Sequence, residues 1–430
     1  MRVHLQALGC RLNEAELEQW GQAFRRAGHG LAQDMHDAEL MVLNTCAVTG
    51  EAVRKSRQLI NRLHRDNPSA KFVVTGCHAT LSPSEVAESL GVDLVVGNED
   101  KDRLVALVSE QLDLPTEPEI ATEPGEVTLF GRGRSRAFVK VQDGCRYRCT
   151  YCIVTVARGQ ERSRPIADVL DEINRLYDQG LQEVVITGVQ VGGYGNDSGS
   201  SLTDLLKAII AETDMPRIRL GSVEPWSIDD RFFNLLAEPR FMPHLHLPLQ
   251  SGSDTVLRRM SRKTRVQEFK TLVQTLRAAN PRFNLTSDII VGFPGETDDE
   301  WRQTMEAVDQ IGFGHLHIFS YSDREGTKAA SLPDKIPLEI KRRRSRELHD
   351  LAARMKSDAL SGMIGTEDQV LWEGRESVGD NAEALRFGYT RNFHRVAMPA
   401  RLLPEEGSVI GNTRLVALND ERDQLLGEPV

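Results

Sequence analysis

The chain has 430 residues, 40% of them apolar and 27% charged, and a formal net charge of −10. It is too long for one core, ordinary in composition for a globular protein, and acidic enough that bulk charge does not by itself favour nucleic acid, for which the distribution of charge matters more. No apolar run reaches membrane-spanning length, and the N-terminus arrives at Asn13-Glu-Ala-Glu16 without a signal-peptide core, so the expectation is a cytosolic protein with no membrane partner. Six cysteines in such a chain read as thiolate ligands rather than disulfides.

Residues 1–112 alternate strand and helix. Val3–Leu8, Leu40–Leu43, Phe72–Thr75 and Leu94–Val96 are short apolar strands. Glu14–Ala27, about 50–65 and about 101–111 have helical spacing, and Ser82-Pro-Ser-Glu85 opens a further helix with a capping-box pattern. This alternation implies a parallel sheet covered by helices. Cys10, Cys46 and Cys77 each follow one of the first three strands. Residues just past the carboxyl ends of parallel strands converge on one edge, so the topology predicts a three-thiolate site; the competing reading is three unrelated buried thiols. Residues 113–136 are Pro/Glu-rich and end in Gly131-Arg-Gly-Arg-Ser-Arg136, which reads as a linker.

Six strand-like runs follow, at 137–142, 183–187, 217–222, 244–249, 284–291 and 315–321, with helical patterns between most of them. Right-handed βα units of this number curl into a partial barrel whose chemistry lies at the carboxyl ends of its strands. The domain is expected over 137–360, closed by a helix over 338–360. The last segment, 362–425, has short runs broken by Gly and Pro and reads as a small all-β barrel with more acids than bases.

The loop after the first of these strands carries Cys145, Cys149 and Cys152 as C-x3-C-x2-C. Three thiolates hold three irons of a four-iron cubane and leave the fourth open to an external ligand. Structural thiols or part of a zinc site are the competing readings, although zinc asks for four ligands and the next histidine is His244. Four further strand ends carry small or polar residues where a cofactor would lie: Gly188, Gly192 and Gly193, then Ser222 and Glu224, then Gln250, then Gly292. Cations gather in 54–65, 258–265 and 341–356, each more simply a solvated helix face, but together a set of basic stripes for RNA.

Leu8-Gly-Cys10, Asn44-Thr-Cys46, Gly76-Cys77, the C-x3-C-x2-C loop, Arg158-Gly-x-x-x-Ser-Arg-Pro165, Leu247-Pro-Leu-Gln-Ser-Gly-Ser253, Asp288–Thr297 and Phe319-Ser-Tyr-Ser322 together resemble the radical S-adenosylmethionine (SAM) methylthiotransferases over almost the whole chain. One departure is Ile153-Val-Thr-Val-Ala157, where relatives more often carry Pro-Tyr. The resemblance implies an α/β chain of three parts: an N-terminal cluster domain, a partial (β/α)6 radical SAM barrel and a C-terminal TRAM barrel. It implies two 4Fe–4S clusters, one on Cys145, Cys149 and Cys152 that cleaves SAM to a radical, and one on Cys10, Cys46 and Cys77 that carries the sulfur to be transferred. Tyr151 takes the place where the family lays a ring beside the SAM adenine. An electron donor and a sulfur donor are implied as partners, and tRNA as substrate, read by the basic clusters and by Tyr389, Asn392 and Phe393. Asn44-Thr-Cys-Ala-Val-Thr-Gly-Glu-Ala-Val-Arg-Lys-Ser-Arg-Gln58 looks like the branch that acts on N6-threonylcarbamoyladenosine, with Arg54, Lys55 and Arg57 as partners for its carboxylate. Isopentenyladenosine tRNA, a ribosomal-protein aspartate, and a non-catalytic electron carrier are the alternatives.

Overall fold

Short apolar runs stopped by Gly, Cys or Asp become the parallel strands that the alternation predicts. In the computed structural model, β1 (Arg2–Ala7), β2 (Gly30–Leu31), β3 (Leu40–Thr45), β4 (Lys71–Gly76) and β5 (Leu94–Val96) form one sheet in the order β2-β1-β3-β4-β5. The structure describes residues 1–89, 91–112, 135–378, 384–403 and 409–430, without the side chains of 374–378. These residues fall into two units. The first takes those within Met1–Gly131, Asp143–Arg162 and Ser322–Ala330, and the second those within Arg132–Gln142, Ser163–Tyr321 and Ser331–Val430.

In the first unit, α1 (Arg11–Arg26), α2 (Gly50–Asp66), α3 (Cys77–Leu81), α4 (Pro83–Ala87) and α5 (Leu104–Gln111) accompany the sheet. Its two faces are separate cores, Val3, Leu5, Trp20, Phe24, Val42 and Val73 on one side and Met41, Leu43, Ile60, Leu63, Phe72 and Val74 on the other. Residues alternate between faces along each strand, so both sides are covered, as a parallel sheet requires. The capping box expected at Ser82 does not form: Ser82 makes no side-chain cap bond, and its N–H instead closes α3 on the His78 carbonyl. The same device does form at Thr297 and Glu300, at the start of α11 (Asp298–Ile311). The short α6 (Val154–Arg158), which follows the C-x3-C-x2-C loop, also belongs to this unit.

The body of the expected linker, 113–134, lies outside the described residues. Arg136, placed by sequence at its end, is a buried residue of β6 (Arg136–Asp143). With β7 (Arg162–Ser163), β8 (Glu183–Gly188) and β9 (Arg217–Leu220) it makes a sheet in the order β7-β6-β8-β9; β10 (His244–His246), β11 (Asn284–Val291) and β12 (His315–Ser320) make another. Parallel bridges Ile218–Phe241 and Ser222–His246 join the two, so six parallel strands run in sequence order as a partial barrel. Helices α7 (Ile166–Asp178), α8 (Leu202–Glu212), α9 (Asp254–Arg259), α10 (Val266–Ala279) and α11 separate them, and α12 (Leu338–Ser361) follows.

The C-terminal strands β13 (Glu367–Val378), β14 (Ala384–Tyr389), β15 (Arg395–Pro399), β16 (Val409–Leu418) and β17 (Leu425–Pro429) close into a barrel around Val370, Trp372, Val396, Met398, Leu415 and Leu425. Its β14–β15 turn packs against the amino ends of the partial-barrel strands. Arg217 donates to the Gln369 and Tyr389 carbonyls at 2.7 and 3.2 Å, Arg219 to the Arg391 carbonyl at 3.2 Å, and Asn284 to the Asn392 carbonyl at 2.8 Å. Tyr389 and Phe393 stack 4.9 Å apart, with the Arg136 and Arg219 guanidiniums 4.3 and 4.5 Å from their respective ring centres. Tyr389, Asn392 and Phe393, expected from the sequence to touch RNA, are therefore engaged within the chain.

A buried carboxylate lies at the centre of this end, and Glu373 adds a second that accepts from Arg136 at 3.0 Å. Glu183 is fully buried; Arg219 grips both its oxygens at 3.0 Å, with Arg136 and Arg217 each 3.9 Å away. Burial raises its pKa, but the three arginines outweigh burial and bring it down to about 2. A depressed carboxylate stabilises the fold above its unfolded pKa and loses that contribution as pH falls through the folded value. Acidification from about pH 4.5 to about 2 should therefore remove on the order of 3 kcal/mol from the second unit. Glu183→Gln should cost about 3–5 kcal/mol at pH 7, because it leaves buried guanidiniums uncompensated. Urea unfolding of both chains across this pH range, followed by tryptophan fluorescence, measures the two effects.

Candidate functional site

All six cysteines are described, and none is joined in a disulfide. All belong to the first unit. Cys10 is the N-cap of α1, directly after β1; Cys46 follows β3; Cys77 follows β4 and opens α3. The turns that deliver them need glycine. Gly9 has φ +98°, and a Cβ there would fall 2.5 Å from Cys46 Sγ; Gly76 has φ +101°, and a Cβ there would fall 2.5 Å from the Thr45 nitrogen. Ser56, on the inward side of α2, accepts from the Cys46 N–H at 3.3 Å and donates to the Cys46 carbonyl at 3.1 Å.

The three thiols sense one another. Burial raises the pKa of Cys10, although the residue as a whole lies at the surface, and the charge of Cys77 adds to the rise. Burial brings Cys46 up to about 11, with Cys10 and Cys77 contributing; Arg158 opposes the rise at both Cys10 and Cys46. Asn98 ties this site to α6, donating to the Ala157 carbonyl at 2.7 Å and reaching Cys77 Sγ at 3.8 Å.

The loop of the second triad is pinned by its own backbone. Cys145 N–H donates to the Gly159 carbonyl and Cys152 N–H to the Cys149 carbonyl, both at 3.0 Å, and Thr155 Oγ1 donates to the Tyr147 carbonyl at 2.8 Å. Gly144 has φ +71° and would press a Cβ into the Gly159 carbonyl oxygen at 2.9 Å. The three cysteines, and Tyr151 beside the last, are partly exposed.

Three thiolates on one zinc ion, with Zn–S bonds of about 2.3 Å, sit about 4 Å apart. Among the described residues, the set of ligand atoms drawn within 4.8 Å of one another is His246, Asp288 and His317, and neither cysteine triad is that tight. The triads offer thiol donors, the ligands that iron–sulfur clusters take. The histidine set is a polar wall on β10, β11 and β12: His246 Nε2 lies 3.3 Å from Asp288, its Nδ1 is 2.9 Å from Thr286 Oγ1, and the rings of His246 and His317 are 5.5 Å apart.

In the second unit the strand ends carry the remaining sequence candidates. Gly188 lies so close to β6 that a Cβ would be 2.9 Å from the Gln142 carbonyl, and Gly192 faces Ser227, so both glycines serve close packing of the chain on itself. Gly193 is buried beside them. Ser222 is exposed and bridges to His246. Glu224 is gripped by Arg262 at 2.8 and 2.6 Å, with Arg262 also 4.6 Å from the Trp226 ring. Gln250 adopts φ +72°, its backbone bridging between Asp288 and Ile290, and Gly292 adopts φ +73° against Lys341. Gln190, within the same glycine-rich turn but not singled out by sequence, buries an Oε1 without a partner among the described residues.

Two charged side chains near the cysteines, Arg158 and Glu16, anchor a buried network. Arg158 is 4% exposed and bonds Glu16 at 2.8 Å, Asp143 at 3.1 Å and Asn13 at 2.9 Å. Glu16 is held further by Lys101 at 2.6 Å and Asn44 at 2.8 Å. Glu16 carried a sequence signal of its own, a carboxylate on the apolar stripe of Leu12, Trp20 and Phe24.

Family comparisons follow the same division of the chain. Residues 139–308 match the Radical SAM superfamily, and residues 2–97 match a family described as Uncharacterized protein family UPF0004. A Threonylcarbamoyladenosine tRNA methylthiotransferase MtaB from Thermotoga maritima is 38% identical over 86% of each chain. The chain belongs to the radical SAM methylthiotransferases. A like-named protein from Bacillus subtilis is 35% identical over 92% of this chain and 89% of its own. A tRNA-2-methylthio-N(6)-dimethylallyladenosine synthase from Oceanobacillus iheyensis is 35% identical over 90% of this chain and 76% of its own. The radical SAM methyltransferase TsrM from Kitasatospora setae, solved with cobalamin and a 4Fe–4S cluster, shares the fold at TM-score 0.58 and 18% identity, covering 76% of this chain and 77% of that one. This methylthiotransferase is thus a transferase whose cofactors are SAM and two 4Fe–4S clusters. Among the described residues, no helix is long and apolar enough to cross a membrane.

The geometry around Gly9 yields a direct test. Gly9→Ala should disturb Cys46 and lower the iron content of the reconstituted methylthiotransferase toward half. Gly50→Ala should leave it unchanged, because a Cβ there meets nothing within 4 Å. Iron and sulfide analysis after anaerobic reconstitution, with circular dichroism to verify folding, measures the difference.

Proposed function

We propose that this enzyme transfers a methylthio group to C2 of N6-threonylcarbamoyladenosine at position 37 of tRNA. The observation that carries the reading is the 38% identity, over 86% of each chain, with a relative named for that substrate. In this proposal Cys145, Cys149 and Cys152 hold one cluster, and Cys10, Cys46 and Cys77 the other. For SAM the chain offers Tyr151 and, in the second unit, the strand ends with Gly188, Gly192, Gly193, Ser222, Glu224, Gln250 and Gly292. When bound, the cofactors supply a SAM-derived radical able to attack an unreactive C–H bond, and the sulfur to be delivered. The protein's own part is to hold the thiolates at fixed strand ends, orient the base and exclude water. An electron donor and a sulfur donor are further partners that this chemistry needs.

Of the three cations suggested by sequence for the substrate carboxylate, Arg54 is exposed and the other two are paired at the surface. Lys55 pairs with Glu51 at 2.9 Å, and Arg57 bonds Glu85 at 2.9 Å, all of them well exposed. On the same helix Ser56 bonds the Cys46 backbone and Val53 packs against the apolar cluster that holds Cys77. Arg324 is a different cation in the same unit: it donates to the Ala47 carbonyl, and its charge registers at Cys46. Much of the basic clustering in 258–265 and 341–356 is likewise paired, Arg259 with Glu300, Arg262 with Glu224 and Arg344 with Glu296. RNA affinity resting on the remaining exposed cations should be modest in its salt dependence.

A second reading, isopentenyladenosine as substrate, has the Oceanobacillus iheyensis relative in its favour. An in vitro assay with tRNA carrying either modification separates the two. Product on the threonylcarbamoyl substrate is expected, and product on the isopentenyl substrate alone overturns the assignment. The division of labour is tested on variants. Cys145→Ala/Cys149→Ala/Cys152→Ala should keep about half the iron and lose reductive SAM cleavage. Cys10→Ala, Cys46→Ala and Cys77→Ala should each still cleave SAM and fail to transfer methylthio. Retention of all the iron by the triple variant contradicts two separate clusters.

A further inference from the structure

Arg158 stands in the segment that follows the C-x3-C-x2-C loop, and while its partner Asp143 ends β6 just before that loop, its other two, Asn13 and Glu16, belong to the surroundings of the other triad. Asn13 Oδ1, which accepts from Arg158 Nη2 at 2.9 Å, is also 3.7 Å from Cys10 Sγ. Glu16, paired with Arg158 at 2.8 Å, is bonded by Asn44, which lies two positions before Cys46 in β3 and its turn. The preceding residue, Ala157, packs with Ala47 and Cys77, and its carbonyl accepts from Asn98, the side chain that reaches Cys77 Sγ. The tail of α6 thus touches the immediate neighbours of all three strand-end thiols.

We propose that Arg158 is a positioning residue for the strand-end triad: its permanent charge, clamped by Glu16 and Asp143, sets the charge environment and thereby the reduction potential of the cluster held by Cys10, Cys46 and Cys77. The proposal rests on the ligand assignment made above. Reduction adds one negative charge to a cluster, and in a water-poor surrounding a nearby cation favours the reduced form. Within the buried network Arg158 and Lys101 stand against Glu16 and Asp143, two cations against two carboxylates, with the more exposed Arg162 3.8 Å from Asp143 at its edge. Removing Arg158 makes the network one charge more negative; neutralising Glu16 makes it one charge more positive.

The test is an anaerobic redox titration, followed by electron paramagnetic resonance, on the full chain carrying Cys145→Ala/Cys149→Ala/Cys152→Ala, so that one cluster reports. Adding Arg158→Gln should lower the midpoint potential, and adding Glu16→Gln should raise it. Each change should amount to at least a tenfold shift in the reduced-to-oxidised ratio at a fixed potential, about 59 mV for one electron. Arg158→Lys, which keeps the charge, should stay near the parent. Opposite signs for the two neutral variants are expected of an electrostatic role and not of a structural one. If Arg158→Gln fails to hold iron, Glu16→Gln decides: an upward shift supports the proposal and an unchanged potential overturns it. Equal potentials in all variants that hold their iron overturn the role of Arg158 alone. Absence of a cluster in the triple-cysteine parent overturns the ligand assignment and this proposal with it.

Discussion

A guanidinium that is 4% exposed has lost most of its water, and the free energy of that loss is recovered only if anions and hydrogen-bond acceptors surround it. Arg158 meets this demand with Glu16, Asp143 and Asn13, and Glu16 in turn brings in Lys101 and Asn44. The participants come from α1, the end of β3, the start of α5's approach, the end of β6 and the end of α6. Because breaking such a set strands a buried charge, these pieces of chain hold one another in register. The same set explains why residues 143–162 fold with the N-terminal sheet rather than with the strands that flank them in sequence.

Strand polarity organises the rest. In the N-terminal sheet, thiols occur where β1, β3 and β4 end, and Gly9 and Gly76 turn the chain in a region of backbone space that side chains avoid. In the partial barrel the carboxyl ends carry the candidate SAM residues, while the amino ends carry arginines. Arg136, Arg217 and Arg219 answer to the buried carboxylate of Glu183, and to Glu373 and carbonyls of the C-terminal barrel. The amino ends of the strands thereby hold the C-terminal barrel.

The C-terminal barrel shows how a motif with an apparent binding face is used otherwise. Tyr389 and Phe393 stack on each other and on arginines of the partial barrel, and Asn392 bonds the Arg282 carbonyl at 3.0 Å. A similar shift occurs on α2, whose Lys55 and Arg57 pair at the surface while Ser56 turns toward Cys46. Substrate choice in this methylthiotransferase therefore does not follow from the sign of that helix's charge, and the case for threonylcarbamoyladenosine is made by its relatives.

Legibility in the sequence followed the range of the interaction. Strand and helix periodicity, the cysteine spacing in the loop and the placing of Cys10, Cys46 and Cys77 at successive strand ends are properties of short stretches, and topology rules extend them to a whole sheet without coordinates. The sequence by itself thus determined the fold class and the family, and it placed the six cysteines in one loop and at strand ends. What a charged side chain pairs with is a matter of contacts across the chain, such as Arg158 with Glu16 or Arg262 with Glu224, and no local pattern encodes them. The tertiary structure decided that Glu224 is gripped by an arginine, that Gly188 and Gly192 serve packing, that Arg136 is a buried strand residue and that Ser82 caps nothing. Charge and hydrogen-bonding capacity are written in the residue, but the partner that satisfies them is chosen only when the chain has folded.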